Sequence, residues 1–334
     1  MKINLYGVGR SGTKALQLYL AYHLAREEGA VWVNYEPYFW QTKEGREVTY
    51  EGLAHHLAAP QFAANPSAFD GRHRNYLRKM ADHGPQSVIT KFIRGCGRRS
   101  AIDELQRPDL TIVIVRDLYE VLASMGQMDW NYYSVGYRYF PRTYADFWER
   151  LVRESREFGL WETPTGQWPW SPDQVTRNAF YWYVMNKHLL RQVGGNLWFV
   201  DYADLPQLRA PLAAKLGFEL EDLGDKGKFD GENLHSGFPL RSVRPRSTIR
   251  AIGHRWNELR YLYARRRLPL WPIGVGATAT VGEVPAQTPK ELRRPRPNIH
   301  IDRQEVLDAW NQEIREEVRR RSILQSPDQK PSNE

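Results

Sequence analysis

The sequence predicts an α/β protein with three layers: a parallel sheet of about five strands between flanking helices, followed by a C-terminal extension. Short apolar runs alternate with longer helical patterns over residues 1–220, as in proteins built from strand–helix–strand units. The predicted strands are apolar along most of their length, which is typical of central strands in a parallel sheet. A chain of 334 residues, 41% of them apolar, can bury such a core.

The strands and helices follow each other in a regular order. Five strands are predicted at residues 3–6, 31–35, 87–92, 111–115 and 197–200. Helices are predicted at residues 12–28, 117–127, 144–158, 173–193, 204–216, 249–267 and 302–321. Glycines end two of these helices, Gly29 the first and Gly194 the fourth, as is common at helix C-termini.

We expect residues 1–270 to form the α/β domain, with irregular insertions near residues 41–85 and 128–142. Such insertions on the loops after strands carry specificity elements in many α/β proteins. Residues 271–334 are predicted to form an extension consisting of a Pro-rich linker, a charged helix and a polar tail. The sequence leaves open whether that helix docks on the core, covers a cleft or mediates a dimer.

The composition limits which kinds of binding partner and which cellular compartment we expect for this protein. The formal net charge of +8 favours an anionic partner, which could be a nucleic acid, a membrane surface or a small polyanion. Cys96 is the one cysteine, so an internal disulfide is excluded, and no Cys/His spacing suggests a zinc site. No apolar run approaches a membrane span, and no leader pattern is seen. We therefore expect a soluble, cytoplasmic protein; its oligomeric state is left open.

The first functional motif lies in INLYGVGRSGTKALQL, residues 3–18. A strand, a glycine-containing turn and a helix in this order present backbone N–H groups and a helix N-terminus to an anion. The glycines allow the backbone to approach a phosphate closely, and the other side chains add donors. The residues concerned are Gly7, Gly9, Arg10, Ser11, Gly12, Thr13 and Lys14. The simpler alternative is a strand-to-helix turn without a ligand.

The order of residues in this loop argues against metal-assisted phosphoryl transfer. In G-x-x-x-x-G-K-[ST], a lysine precedes the hydroxyl that ligates Mg²⁺. Here Thr13 and Lys14 are exchanged and Ala15 follows, so that hydroxyl is missing. The acid that best fits a metal ligand after a strand is Asp117, and Arg116 precedes it directly. We therefore predict no metal site.

The second motif, TIVIVRDLYEVLAS, follows the fourth predicted strand. Arg116 ends the strand and Ser124 lies about two helical turns further on, so both can face the carboxyl edge of the sheet. This arrangement suits a second, separate phosphate. The alternative is an Arg-Asp pair that caps a helix, with Ser124 merely exposed.

The two motifs together resemble the sulfotransferases that use 3′-phosphoadenosine 5′-phosphosulfate (PAPS), including bacterial members. In that family, [RK]-[ST]-G-T-[TR] holds the 5′-phosphosulfate, and R-D-P-x-D-V-x-x-S holds the 3′-phosphate through its Arg and Ser. The resemblance implies a P-loop, nucleotide-kinase-like fold, PAPS as donor and adenosine 3′,5′-bisphosphate (PAP) as product, without a metal. It implies donor contacts from Gly9, Arg10, Ser11, Gly12, Thr13, Lys14, Arg116 and Ser124.

Some positions depart from the family pattern: Leu118 replaces its Pro, Glu120 its Asp, and Lys14 its Thr or Arg. Weaker matches occur in SVITKF, where Lys91 matches a strand-ending lysine, and in WFVDYADLP, where Ala203 replaces a glutamate. The resemblance extends over about residues 1–220.

The reaction implied is in-line transfer of a sulfuryl group to an acceptor hydroxyl or amine, which calls for a general base. Glu36 is the leading candidate, because it follows the second strand at the carboxyl edge and some family members resemble it in placing a glutamate there. Lys14 or Arg10 would stabilise charge on the leaving phosphate. The other candidates for the base are His55, His56 and His73, although a histidine in such an insertion is more often a surface residue.

Basic residues also lie late in the α/β domain, at Arg241, Arg244 and Arg246. They are either contacts to the 3′-phosphate or part of a solvated basic loop. The acceptor is expected to be a carbohydrate or another small molecule, with no nucleic acid bound. Two alternative functions remain: a small-molecule kinase that uses ATP on a P-loop scaffold, and a non-enzymatic nucleic-acid-binding protein favoured by the scattered arginine clusters.

Overall fold

The computed structural model describes residues 1–34, 36–38, 50–82, 84, 86–127, 141–161, 174–221, 240–243, 277–281 and 304–324. The strands are β1 (Lys2–Tyr6), β2 (Val31–Asn34), β3 (Ser87–Phe92), β4 (Leu110–Val115), β5 (Leu197–Asp201), β6 (Leu240–Val243) and β7 (Ala277–Val281). The helices are α1 (Thr13–Glu28), α2 (Tyr50–Ala58), α3 (Gly71–Ala81), α4 (Arg99–Gln106), α5 (Leu118–Gln127), α6 (Pro141–Glu157), α7 (Gln174–Leu190), α8 (Arg209–Leu216) and α9 (Gln304–Arg321).

The predicted α/β fold is confirmed. Five parallel strands run in the order β2-β3-β1-β4-β5, flanked by helices, and all five predicted strands are present. Parallel pairing aligns Leu5 of β1 with Lys91 of β3, and Asn34 of β2 with Thr90 of β3. The strands β3 and β4 are buried along their whole length, as the largely apolar sequence of β4 predicts. In β3, three polar residues, Ser87, Thr90 and Lys91, are buried with the apolar ones.

Two antiparallel strands extend the sheet beyond β2, and the sequence analysis did not predict them. Strand β7 pairs with β2, with Val31 opposite Ala279, and β6 pairs with β7. The β-branched run in ATATV favours a strand, but five residues next to a Gly-rich stretch give a weak signal.

The stretch at residues 41–85 was predicted to be irregular, and this prediction is wrong for its described part. Helix α2 and helix α3 lie there. Asp70 caps α3, its carboxylate accepting a hydrogen bond from the N–H of His73 at 2.7 Å. The sequence did not predict α3 because its buried face consists largely of histidine, tyrosine and methionine rather than aliphatic residues. Helix α4 was also not predicted, and the helix predicted at residues 249–267 lies outside the described residues.

The chain divides into two compact units. The first comprises Met1–Tyr6, Lys14–Thr111 and Leu223–Thr288, and the second comprises Gly7–Thr13, Ile112–Asp222 and Pro289–Glu334. In the second unit, the C-terminal helix α9 packs against α7 and β5. Its apolar side chains Leu307, Ile314 and Val318 are buried, and the chain after it bridges from Ser322 to Phe199 of β5. Of the roles that the sequence leaves open for this helix, the structure shows docking: α9 packs on α7 and β5 of its own unit.

Candidate functional site

The loop Gly7–Gly12 joins β1 to α1 and contains a tight turn. The N–H of Ser11 donates to the carbonyl of Val8 at 3.1 Å. Arg10 and Gly12 both have positive φ, 74° and 87°. This left-handed conformation is unfavourable for most residues and lets successive backbone N–H groups point to one side of a loop.

Gly12 is required by the close approach of an aromatic ring. A Cβ atom at this position would lie 2.4 Å from two ring carbons of Tyr202, the residue that follows β5. At Gly7, a Cβ would lie 2.7 Å from the carbonyl oxygen of Ile114 in β4. Gly7 and Gly12 are therefore required by packing within the second unit as well as by the turn.

The side chains of the loop are largely enclosed. Ser11 is fully buried, and its hydroxyl forms no hydrogen bond in the structure. An unsatisfied buried hydroxyl costs about 1–3 kcal/mol, so such groups call for an explanation. Gly9 and Thr13 are also buried, while Arg10 and Lys14, the second residue of α1, are half-buried.

The structure brings the two predicted motifs together in the second unit. Nε of Arg10 donates to Oγ of Ser124 at 2.8 Å, and Nη1 of Arg116 donates to the carbonyl of Arg10 at 3.2 Å. The guanidinium of Arg116 lies over the ring of Tyr202, 4.2 Å from its centroid. Its Nε also forms an ion pair with Glu120 at 2.7 Å. Three of the predicted donor contacts, Arg10, Arg116 and Ser124, thus form one cluster.

Asp117 has a structural task in this cluster. Its Oδ1 accepts hydrogen bonds from the N–H groups of Tyr119 and Glu120 and so caps α5. Its Oδ2 faces α9, where Asn311 donates at 2.8 Å and Arg315 at 3.3 Å. The alternative reading of this motif as a helix cap is correct for Asp117, but Ser124 is half-buried and hydrogen-bonded rather than merely exposed.

In the first unit, Glu36 lies beside two buried cations. Nζ of Lys91 is 3.1 Å from one carboxylate oxygen, and Nη1 of Arg94 is 3.9 Å from the other. These side chains, with Pro37, Tyr38, Phe92 and Ile93, line a cavity of about 10 Å³. A cavity of this size has room for roughly one water molecule.

The three histidines named as alternative bases are buried in the first unit, so reading them as surface residues is wrong. Nε2 of His73 is hydrogen-bonded to the hydroxyl of Tyr38 at 2.8 Å, and its ring stacks on that of His55 at 4.7 Å. His56 lies against the fully buried Arg98, 3.1 Å from its Nη1. They were misread because the sequence pattern did not reveal α2 and α3.

Burial decides how well His73 suits proton abstraction. Loss of solvation, with further contributions from Arg98 and His55, lowers the pKa of His73 to about 2. A base of this strength is far from the operating pH, where general bases work best. The contacts give His73 and Tyr76 another task, because they bind Tyr38 and the carbonyl of Pro37, the two residues that follow Glu36.

Two residues at these sites were not singled out from the sequence. Tyr202 contacts both Gly12 and Arg116, and Arg94 lies beside Glu36. The signal for Tyr202 was its place in DYADLP after β5, which resembles the family's Y-E-D-L. Of the late arginines, Arg244 and Arg246 lie outside the described residues, and for Arg241 the structure describes the backbone, in β6.

Comparisons with known proteins add no family to this geometry: no protein-family model matches the sequence, and no curated protein matches it. Within the described ranges, no helix has the length and apolar composition needed to cross a bilayer. Those ranges also contain no cluster of three or more His, Cys, Asp or Glu side chains placed to hold a metal ion.

Proposed function

We propose that this protein is a sulfotransferase that moves a sulfuryl group from PAPS to the hydroxyl of a small molecule or glycan. The observation that carries the proposal is the hydrogen bond of Arg10 to Ser124, because it joins the glycine-containing loop to the second anion motif. A donor with phosphates at both its 5′ and 3′ positions needs two adjacent anion sites. An ATP enzyme does not need the second one.

The residues of the second unit fit such a donor. The buried hydroxyl of Ser11 forms no hydrogen bond in the structure. It can therefore donate one to a phosphate oxygen. The backbone of the loop turns through two left-handed residues, Arg10 and Gly12, a conformation that forms anion-binding concavities. Arg116 is one-fifth exposed, so its guanidinium is accessible to an anion.

The proposed assignments follow from this chemistry. Gly9, Ser11, Gly12 and Thr13 bind the 5′-phosphosulfate, with the positive side chains of Arg10 and Lys14 offsetting charge on the leaving phosphate. Arg116 and Ser124 bind the 3′-phosphate. Bound PAPS supplies an activated sulfuryl group, and PAP is released after its transfer.

Glu36 is the proposed general base, which removes the proton of the acceptor hydroxyl. Nζ of Lys91 binds one of its carboxylate oxygens at 3.1 Å, and the charge of Arg94 lies 3.9 Å from the other. Because Tyr38 and Pro37 are also tied to α3, the carboxylate is oriented before an acceptor arrives. The low pKa of His73 leaves Glu36 the better candidate.

Calorimetry with two nucleotides tests the proposal. PAP should bind at micromolar concentration without Mg²⁺, and ATP should bind at least about tenfold more weakly, since it lacks the 3′-phosphate. Equal binding of the two, or a strict requirement for Mg²⁺, would contradict the proposal and favour the kinase alternative. Transfer of labelled sulfate from PAPS to 2-naphthol and to glucose, a phenol and a sugar, is the first test of turnover.

A further inference from the structure

Helix α9 makes direct contact with the segment that carries the second anion motif. Oδ1 of Asn311 accepts a hydrogen bond from the N–H of Leu118 at 3.0 Å, and Nδ2 of Asn311 donates to Oδ2 of Asp117 at 2.8 Å. One side chain of α9 therefore binds both a backbone donor at the start of α5 and the carboxylate that caps it. Arg116 is the residue immediately before Asp117.

Arg315 of α9 connects this segment to a second strand end. Its Nη1 donates to Asp117 at 3.3 Å and its Nη2 donates to Oδ2 of Asp201 at 3.2 Å. The other oxygen of Asp201 accepts from the N–H of Ala203 and so caps the turn that contains Tyr202. One guanidinium thus bridges Asp117, two residues after β4, and Asp201, the last residue of β5.

The neighbours of these two acids are the residues that meet at the anion site. Arg116 precedes Asp117, Tyr202 follows Asp201, and the guanidinium of Arg116 lies over the ring of Tyr202. The indole N–H of Trp182 in α7 also donates to the carbonyl of Arg116 at 3.1 Å, which fixes its backbone on another side. The orientation of Arg116 therefore depends on the spacing between two strand ends that Arg315 holds together.

We infer that Asn311 and Arg315 are positioning residues for the 3′-phosphate site, acting on Arg116 through Asp117, Asp201 and Tyr202. This inference rests on the proposed function, since it assigns the 3′-phosphate to Arg116 and Ser124. Outer hydrogen-bond partners of this kind fix the side chains that touch a ligand, and their loss typically costs roughly 10- to 100-fold in affinity at metal sites. Neither Asn311 nor Arg315 is among the residues proposed to bind the donor.

A separate set of contacts keeps α9 docked when these two residues are changed. The ring of Trp310 stacks on Tyr183 of α7 at 4.6 Å, and Glu313 forms an ion pair with Lys187 at 2.8 Å. Glu313 also accepts a hydrogen bond from the hydroxyl of Tyr183 at 2.7 Å. Glu313→Gln is therefore a matched control: it weakens the docking of α9 on α7 at contacts that include neither Asp117 nor Asp201.

The test compares the binding of PAP with that of adenosine 5′-phosphate, which differ by the 3′-phosphate. In Arg315→Met and in Asn311→Ala, the preference for PAP should fall about tenfold, whereas binding of adenosine 5′-phosphate changes by less than about twofold. Glu313→Gln should keep the wild-type preference. Arg315→Lys should recover part of it, because one charged contact can be made.

The possible outcomes distinguish failure of this inference from failure of the proposed function. If the wild-type protein prefers PAP and both variants keep that preference in full, the inference is overturned and the proposed function stands. If the wild type shows no preference for PAP, both fail. Equal losses in Glu313→Gln and Arg315→Met, with matched melting temperatures, would also overturn it, because general loosening of α9 would then explain the effect.

Discussion

Nε of Arg10 donates to Oγ of Ser124 at 2.8 Å, across 114 positions of the sequence. The bond ties the loop after β1 to the second turn of α5. Each partner belongs to a motif that suggests an anion site by itself, and their contact places the two motifs side by side, as the proposed donor with two phosphate positions requires. The consequences are measurable with ligands that differ by one phosphate.

Arg116→Ala should weaken the binding of PAP by roughly 10- to 100-fold, because a hydrogen bond to a charged group contributes about 1.5–3 kcal/mol. Adenosine 5′-phosphate should lose much less affinity. Calorimetric titration of both ligands measures the difference. Arg153→Ala removes an exposed arginine of α6 and serves as the control. Equal losses for both ligands would mean that Arg116 does not bind the 3′-phosphate.

Gly12→Ala should destabilise the fold and abolish binding of PAP. The substitution places an alanine at a φ of 87°, which is unfavourable for a residue with a Cβ atom. It also brings that Cβ atom against the ring of Tyr202. Gly217→Ala separates these effects, because Gly217 has a φ of 83° with no atom within 4 Å of an added Cβ. We expect a cost of about 1–2 kcal/mol from φ at Gly217 and a larger one at Gly12, measured by urea unfolding. Similar costs at both positions would argue against the close approach of Tyr202.

Glu36→Gln should reduce sulfuryl transfer about 10²- to 10⁴-fold, the usual contribution of a general base. Binding of PAP should stay near the wild-type value, since the amide keeps the shape of the side chain. The assay is transfer of labelled sulfate from PAPS, with PAP titration alongside. Glu27→Gln, an exposed position in α1, is the control. Turnover retained in Glu36→Gln would direct attention to His55 and His56.

The buried imidazole of His73 should make folding stability depend on pH. Its pKa is about 2 in the folded protein and 6.5 in an exposed histidine, so the unfolded chain binds the proton more readily. Stability is therefore lost as the pH falls through 6.5 toward 2, by up to about 1.4 kcal/mol per pH unit.

His73→Gln removes this titration and keeps an acceptor for the hydroxyl of Tyr38. Between pH 7 and pH 5, the wild-type protein should lose about 2 kcal/mol more unfolding free energy than the variant. Urea unfolding at the two pH values measures this difference. The same pH dependence in both proteins would show that His73 does not carry it.

The elements that the sequence predicted well are those with a strong local signal. Strand β3 was predicted with the bounds that the structure has, because SVITKF contains the β-branched run Val88, Ile89 and Thr90. Helix α3 was missed, since burial of His73 and Tyr76 depends on partners such as Tyr38 that lie elsewhere in the chain. The pattern of aliphatic residues carries no information about such pairs.

The candidate site was predictable where chemistry and spacing are local. Arg10, Ser11 and Gly12 lie in the short loop between β1 and α1, and Arg116 follows β4 directly. Tyr202 and Arg94 gain their importance from contacts with residues far away in sequence, and Arg315 acts on Arg116 through two carboxylates. Contacts of this kind depend on the folded arrangement of the strands.

The pairing of β7 with β2 has a consequence for how the chain is made. Strand β2 lies near the start of the sequence and its antiparallel neighbour begins at residue 277. During synthesis, the backbone N–H and C=O groups on that side of β2 stay open until most of the chain has left the ribosome. Exposed strand edges recruit other chains, and long-range pairings form slowly. Nascent or truncated chains that end before residue 277 should therefore aggregate more readily and depend more on chaperones than chains that include β7.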